Sequence, residues 1–186
     1  MVAGALSSSS RARADTPARA EESPHHFVFG QTLAVIVRRI SVGYELLPTT
    51  HHSFGLTVHG QWPGTKYFSY APGEVAGFGG ELGYRYYAGE RGPNGPFFAA
   101  SFLTGHYYSR SSFLESDPHA LWYTQYGWAL DFGWATYLDR TIVFAMAAGV
   151  QRTWITVDRA TITDQAQLLD GEGLKPRAQI QVGRAF

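Results

Sequence analysis

Residues 174–186 read L-K-P-R-A-Q-I-Q-V-G-R-A-F. Ala178, Ile180, Val182 and Phe186 fall on one parity, and Arg177, Gln179, Gln181 and Gly183 fall on the other. Strict alternation is the period of a β-strand with one face in an apolar medium and one in a polar medium. A stretch of about ten such residues that ends on an aromatic fits a strand crossing a membrane and finishing at its interface. One strand proves little, so the rest of the chain has to repeat the pattern.

It does. Arg39 to Leu47 sets Ile40, Val42, Tyr44 and Leu46 against Ser41, Gly43 and Glu45. After the turn at Pro48 to His52, Ser53 to Trp62 sets Phe54, Leu56 and Val58 against Gly55, Thr57, His59 and Gln61. Gly77 to Tyr87 sets Phe78, Leu82, Tyr84 and Tyr86 against Gly79, Glu81, Gly83 and Arg85. The Gly/Pro/Asn-rich run Ala88 to Pro96 reads as a turn, and Phe97 to Tyr108 as a strand of weaker contrast. Tyr123 to Tyr137 is the clearest, with Tyr126, Trp128, Leu130, Phe132 and Trp134 against Gln125, Gly127, Ala129, Asp131 and Gly133. Leu138 to Arg140 turns the chain, and Ile142, Phe144, Met146, Ala148 and Val150 alternate after it. Phe27 to Val37 mixes signals, because Ala34 to Val37 is a continuous apolar run that Arg38-Arg39 breaks. Counted as a strand, it makes eight, and 26–186 one barrel domain. Residues 1–25, with Ser7 to Ser10 and scattered arginines, read as a disordered leader or a truncated signal peptide around Ala12-Arg13-Ala14.

Composition agrees. Charged residues make up 16% and aromatics 15% of the 186 residues, with 21 glycines; soluble domains carry roughly 25% charge. Net charge is zero, so no basic field recruits nucleic acid. No apolar run approaches the length of about 18 residues that a membrane helix needs.

Size and charge decide which face is inside. Small barrels have interiors just wide enough for ordinary side chains, whereas Trp128, Phe132 and Trp134 come from a single strand. The opposite set is Gly, Ala, Ser, Gln and Thr, and it holds every carboxylate of the clean strands. The expectation is an all-β, eight-stranded antiparallel up-and-down transmembrane barrel. Its interior network comprises Glu45, His59, Glu81, Arg85, Asp131 and Arg177, with Arg85 as the nearest partner for Glu81. One aromatic girdle holds Tyr44, Tyr84, Tyr86, Phe98, Trp134 and Phe186; the other holds Trp62, Tyr67, Tyr70, Tyr108, Trp122 and Trp154. The waist between them is aliphatic (Leu56, Val58, Leu82, Leu130, Met146, Ile180). Long loops at 62–75, 109–120 and 155–173 are expected outside the cell and both termini inside the periplasm. Arg184 departs from the apolar parity at the rim, where it can snorkel.

The segments R-I-S-V-G-Y-E (39–45), H-H-S-F-G-L-T-V (51–58), G-G-E-L-G-Y-R-Y-Y (79–87), the G-P-F-F opening at Gly95, and the terminal strand resemble the small outer-membrane β-barrels of Gram-negative bacteria. They are similar in particular to a family of unknown function broadly like the OmpW- and OmpX-type barrels. The resemblance implies a monomer in outer-membrane lipid, inserted by the assembly machinery through its C-terminal strand, with no cofactor and no catalysis. Rival readings are a soluble barrel binding a small apolar ligand, which needs the bulky set inside, and a lipid-modifying enzyme. The enzyme would need an inward Ser/His/carboxylate cluster near the long-loop rim, and only His106 with Ser109 or Ser111 comes near. His51-His52-Ser53 is a poor chelate or dyad, because adjacent residues of a strand face opposite ways.

Overall fold

The computed structural model describes residues 25–32, 39–62, 73–111, 120–139, 141–156 and 172–186. Eight strands form: β1 (His26–Gln31), β2 (Arg39–Leu46), β3 (His52–Gln61), β4 (Gly73–Tyr87), β5 (Gly95–Ser111), β6 (Ala120–Tyr137), β7 (Ile142–Thr156) and β8 (Gly173–Ala185). Each pairs antiparallel with its sequence neighbours and β8 pairs back with β1, giving a closed up-and-down barrel. Closure leaves no unpaired edge, the one arrangement in which a sheet satisfies its own backbone throughout.

The register fixes the dimensions. The ladder runs from Gly183 to Phe29, then through Gly43, Thr57, Glu81, Leu103, Gly127 and Thr153, and returns to β8 at Gly173, ten residues from its start. A stagger of this size over eight strands tilts them by roughly 40° and leaves an interior that side chains can fill.

Several strands outrun the sequence expectation. β4 begins at Gly73 and β5 continues to Ser111, paired with each other to their ends, and β7 extends to Thr156. Ser109 to Ser111 has loop composition, but ladder partners supply backbone hydrogen bonds that composition does not reveal. β1 covers His26–Gln31 of the segment expected over Phe27 to Val37, and Ala34 to Val37 lies outside the described residues, as do Tyr67 and Tyr70.

The short turns at one end are tied back to the sheet. Leu47 N–H donates to His25 O (2.7 Å) and Tyr87 N–H to His51 O (2.8 Å). Gly92 and Gly95, at the turn between β4 and β5, take left-handed φ of 64° and 96°, which only glycine adopts at little cost.

The two faces separate as the alternation demands, and inward positions carry odd numbers in every strand. Outward, Phe78, Leu82 and Phe132 are 67, 62 and 66% exposed; these are core residues by type lying on the surface. Inward, one expectation is corrected. The interior is not small and polar throughout: toward the short turns Phe27, Phe29, Leu47, Tyr87, Phe97 and Val143 pack into a buried apolar cluster. Glycines directly opposite on the neighbouring strands make the room. A β-carbon at Gly43 would run into the Phe29 ring, and one at Gly133 would lie 2.5 Å from Phe97 Cζ.

Gly43→Val should therefore lower stability by about 1–3 kcal/mol through overpacking, read as urea unfolding of the refolded chain. In a Phe29→Ala background the same substitution should cost less than half as much, since the clash partner is gone. Equal cost in both backgrounds would place Phe29 elsewhere.

Candidate functional site

Above the apolar cluster the interior turns polar. Glu45 enters from β2, His59 from β3, Glu81 and Arg85 from β4, Asp131 from β6, and Arg177 from β8. Every one of these expected interior residues faces inward, and Glu45, His59, Glu81 and Asp131 are 7% exposed or less.

The partners differ from the expected ones. Glu81 does not pair with Arg85, four residues along its own strand. It receives Arg177 from β8 as a two-pronged fork, with Nη2 2.7 Å from Oε2 and Nη1 3.2 Å from Oε1, and Arg39 stands 3.5 Å away. Arg177 also places Nε 3.3 Å from Asp131 Oδ2. Arg85 instead meets Glu45 at 2.9 Å and donates to Tyr87 Oη (3.0 Å) and Gln181 Oε1 (3.1 Å). Tyr87 Oη in turn donates to Glu45 Oε1 at 2.7 Å. The reason is directional: Glu81 and Arg85 share a face but stand along the wall, while facing walls of a narrow barrel bring long side chains head to head.

The two ion-pair groups are joined through amides. Gln181 donates to Gln179 Oε1 (2.9 Å), and Gln179 to Asp131 Oδ2 (3.2 Å). Three guanidiniums (Arg39, Arg85, Arg177) thus face three carboxylates (Glu45, Glu81, Asp131). Removing charges from water costs several kcal/mol each unless fork geometry and further hydrogen bonds offset it. Each member of the set has at least one hydrogen-bond partner, while Arg39 Nε, Arg177 Nε and Asp131 Oδ1 are buried without one.

His59 closes the network toward the long loops. Arg39 Nη2 lies 2.8 Å from its Nδ1 and Tyr107 Oη 2.6 Å from its Nε2. A guanidinium can only donate, so Nδ1 is the acceptor and the ring proton sits on Nε2, directed at Tyr107 Oη. The imidazole is neutral in this arrangement, and the three-against-three balance is kept. Tyr107 stacks on Tyr123 with ring centroids 5.6 Å apart, capping the polar zone with a second apolar layer that includes Val75 and Ile155. At the other boundary the Arg85 guanidinium lies 4.5 Å from the Phe97 ring centroid, a cation–π contact that joins polar zone to apolar cluster. A cavity of about 40 Å³ lies among Glu45, Glu81, Arg85, Asp131, Arg177 and Gln181, room for a few water molecules.

Arg39, Tyr87 and Tyr107 were missed as network members. Arg39 reads in sequence as the residue that ends an apolar run, and Tyr107 lies in the strand of weakest contrast. Parity was the available signal, since all three are odd-numbered like Glu45 and Arg85.

The expected aromatic girdles lie on the exterior. Tyr44, Tyr84, Tyr86, Trp134 and Phe186 ring the short-turn end, where His26 Nδ1 lies 2.6 Å from Tyr44 Oη and His52 Nδ1 2.7 Å from Tyr84 Oη. Trp62, Trp122 and Trp154 stand toward the long-loop end, Trp154 stacked on Tyr126. His51, just before β3, and His52 both lie beside the Tyr86 ring, but His51 Nδ1 is 2.9 Å from Tyr87 O, and Ser53 is buried against Arg85 O. His106 points outward and stacks on Trp122 at 5.1 Å, on the opposite face from the interior network. Among the described residues no three His, Asp or Glu side chains are grouped to hold a metal ion.

No protein-family model, curated protein or solved structure matches the chain.

The pairing has a thermodynamic signature. Glu81→Gln and Arg177→Met should each destabilise by roughly 3–5 kcal/mol by stranding a buried charge, and the double variant should be less damaged than the sum by 0.5–3 kcal/mol. Glu81→Gln with Arg85→Met should come closer to additivity. A larger coupling to Arg85 in urea unfolding would restore the pairing along one strand.

Proposed function

We propose that the chain is an integral outer-membrane barrel, of the OmpW- and OmpX-like kind, whose interior is closed to ions and whose loops carry a structural, adhesive or small-ligand role. The carrying observation is the exterior between the two aromatic belts. Leu56, Leu82, Phe102, Leu130, Phe132 and Met146 are 40–66% exposed there, and no carboxylate stands among them. In water so much contiguous apolar surface would drive association; in lipid it is the surface the barrel requires.

Closure of the interior is supported by its layers. A hydrated ion would have to pass the Tyr107–Tyr123 stack, a cross-linked set of ion pairs and the Phe27–Phe29–Phe97 cluster. The rival soluble ligand-binding barrel needs an apolar pocket of roughly 300–1,000 Å³, against an interior cavity of about 40 Å³ lined by charges.

The chain should co-sediment with membranes, resist extraction by carbonate, and show heat-modifiable gel mobility; recovery in the soluble fraction would end this reading. Leu130→Arg and Leu82→Arg, near mid-height, should each cost roughly 2–4 kcal/mol of folding stability in lipid, whereas Leu138→Arg in a turn should cost little. Planar-bilayer recordings should give no steady porin-scale conductance for the wild type. An ion-selective conductance abolished by Glu81→Gln would make the network a path.

A further inference from the structure

Among the described side chains two arginines interrupt the apolar exterior, and both stand on the seam between β7 and β8. Arg152 lies beside Trp128 of β6 and Leu174 of β8 in the ladder, and Arg184 beside Ile142 of β7 and Val28 of β1. Both are exposed. Among the described side chains no other charged residue lies on the strand exterior, and no carboxylate lies within ion-pair distance of either arginine. The two arginines occupy neighbouring strands at opposite ends.

Their spacing is informative. From Ile142, the ladder partner of Arg184, to Arg152 is ten positions along β7. That is about 33 Å along the strand at 3.3 Å per residue, and roughly 25 Å along the barrel axis at a tilt of about 40°. The exterior between them is apolar, with Phe144, Met146 and Val150 on β7 and Ile180 on β8. Roughly 25 Å is also the height of the apolar band of an outer-membrane barrel. Each guanidinium therefore comes to one edge of the band, at the level of the headgroups of one leaflet.

The loop-end arginine is also held in place. The Arg152 guanidinium carbon lies 5.3 Å from the centroid of the Trp154 ring, and Trp154 is stacked on Tyr126 at 5.8 Å. A guanidinium resting on an indole keeps its planar N–H fork, which matches two oxygens of a phosphate. The indole beside it offers an apolar flank for a glycerol backbone and the start of its acyl chains.

We infer that Arg152 and Arg184 are lipid-phosphate anchors, one for each leaflet, that fix the depth of the barrel along the β7–β8 seam. The inference rests on the membrane reading above. Its partner is a phosphate-bearing diacyl lipid headgroup.

The test uses the purified full chain in detergent, given phosphatidic acid or the diacylglycerol with the same acyl chains, with retained lipid counted by native mass spectrometry. Wild type should retain phosphatidic acid well above diacylglycerol. Arg152→Gln and Arg184→Gln should each lose most of one bound phosphatidic acid, about five-fold in adduct intensity, with diacylglycerol unchanged. Arg152→Lys, which keeps the charge but not the fork, should fall between. Equal retention of phosphatidic acid by wild type and both glutamine variants would overturn the inference, as would equal retention of the two lipids by wild type. Flotation with vesicles of phosphatidylcholine separates the two levels of failure. A wild type that does not float with them refutes the membrane reading and the anchors together; one that floats, with variants binding phosphatidic acid as it does, refutes the anchors alone.

Discussion

A closed sheet has two faces and no third, so each side chain on its strands must go in or out. Everything else in this barrel follows from that division. Inward positions are odd-numbered in all eight strands because every ladder pairs odd with odd, from Phe27 with Glu45 to Thr153 with Gly173. A slip of one residue in the pairing of β6 would invert the whole strand, setting Trp128, Leu130 and Phe132 inside and Asp131 outside.

Within the barrel the division creates a packing problem that is solved by layers. Apolar rings fill the short-turn end, where Gly43, Gly133 and Gly183 leave space for Phe29, Phe97 and Phe27. Charges occupy the middle, in equal numbers of each sign, and a tyrosine stack lies above them. Mixing these groups at one level would leave a guanidinium facing a ring with no carboxylate in reach. Arg85 shows the tolerable version: its fork serves Glu45, Tyr87 and Gln181 while its flat face lies on Phe97.

The exterior answers the same division with the opposite chemistry. Tyr44, Tyr84 and Tyr86 gather at one end and Trp62, Trp122 and Trp154 at the other, with Phe102 and Phe132 between them, and polar atoms at the ends find local partners, such as the Tyr44 and Tyr84 hydroxyls beside His26 and His52. An aromatic with an apolar body and a polar tip suits a boundary between media better than either medium alone. The two exterior arginines keep to the same levels, which is why they can be reconciled with an otherwise apolar wall.

Alternation alone determined the strands, the inward set of Glu45, His59, Glu81, Arg85, Asp131 and Arg177, and the outward aromatics, because side-chain direction in a strand depends on parity and on nothing distant. The strand ends were less legible: Ser109 and Arg110 are held by ladder partners on β4 and β6, and Ser111 by Gly73 of β4, not by their own composition. The ion pairs were not legible at all. Glu81 and Arg177 are 96 positions apart, and whether they meet depends on the ten-residue stagger and on how far each reaches across the interior. Nor could parity say that Phe27 and Phe29 fill one end of the interior, since that needs glycines on two other strands. Only closure of the sheet brings those positions together, so the faces belonged to the sequence and the partners to the tertiary structure.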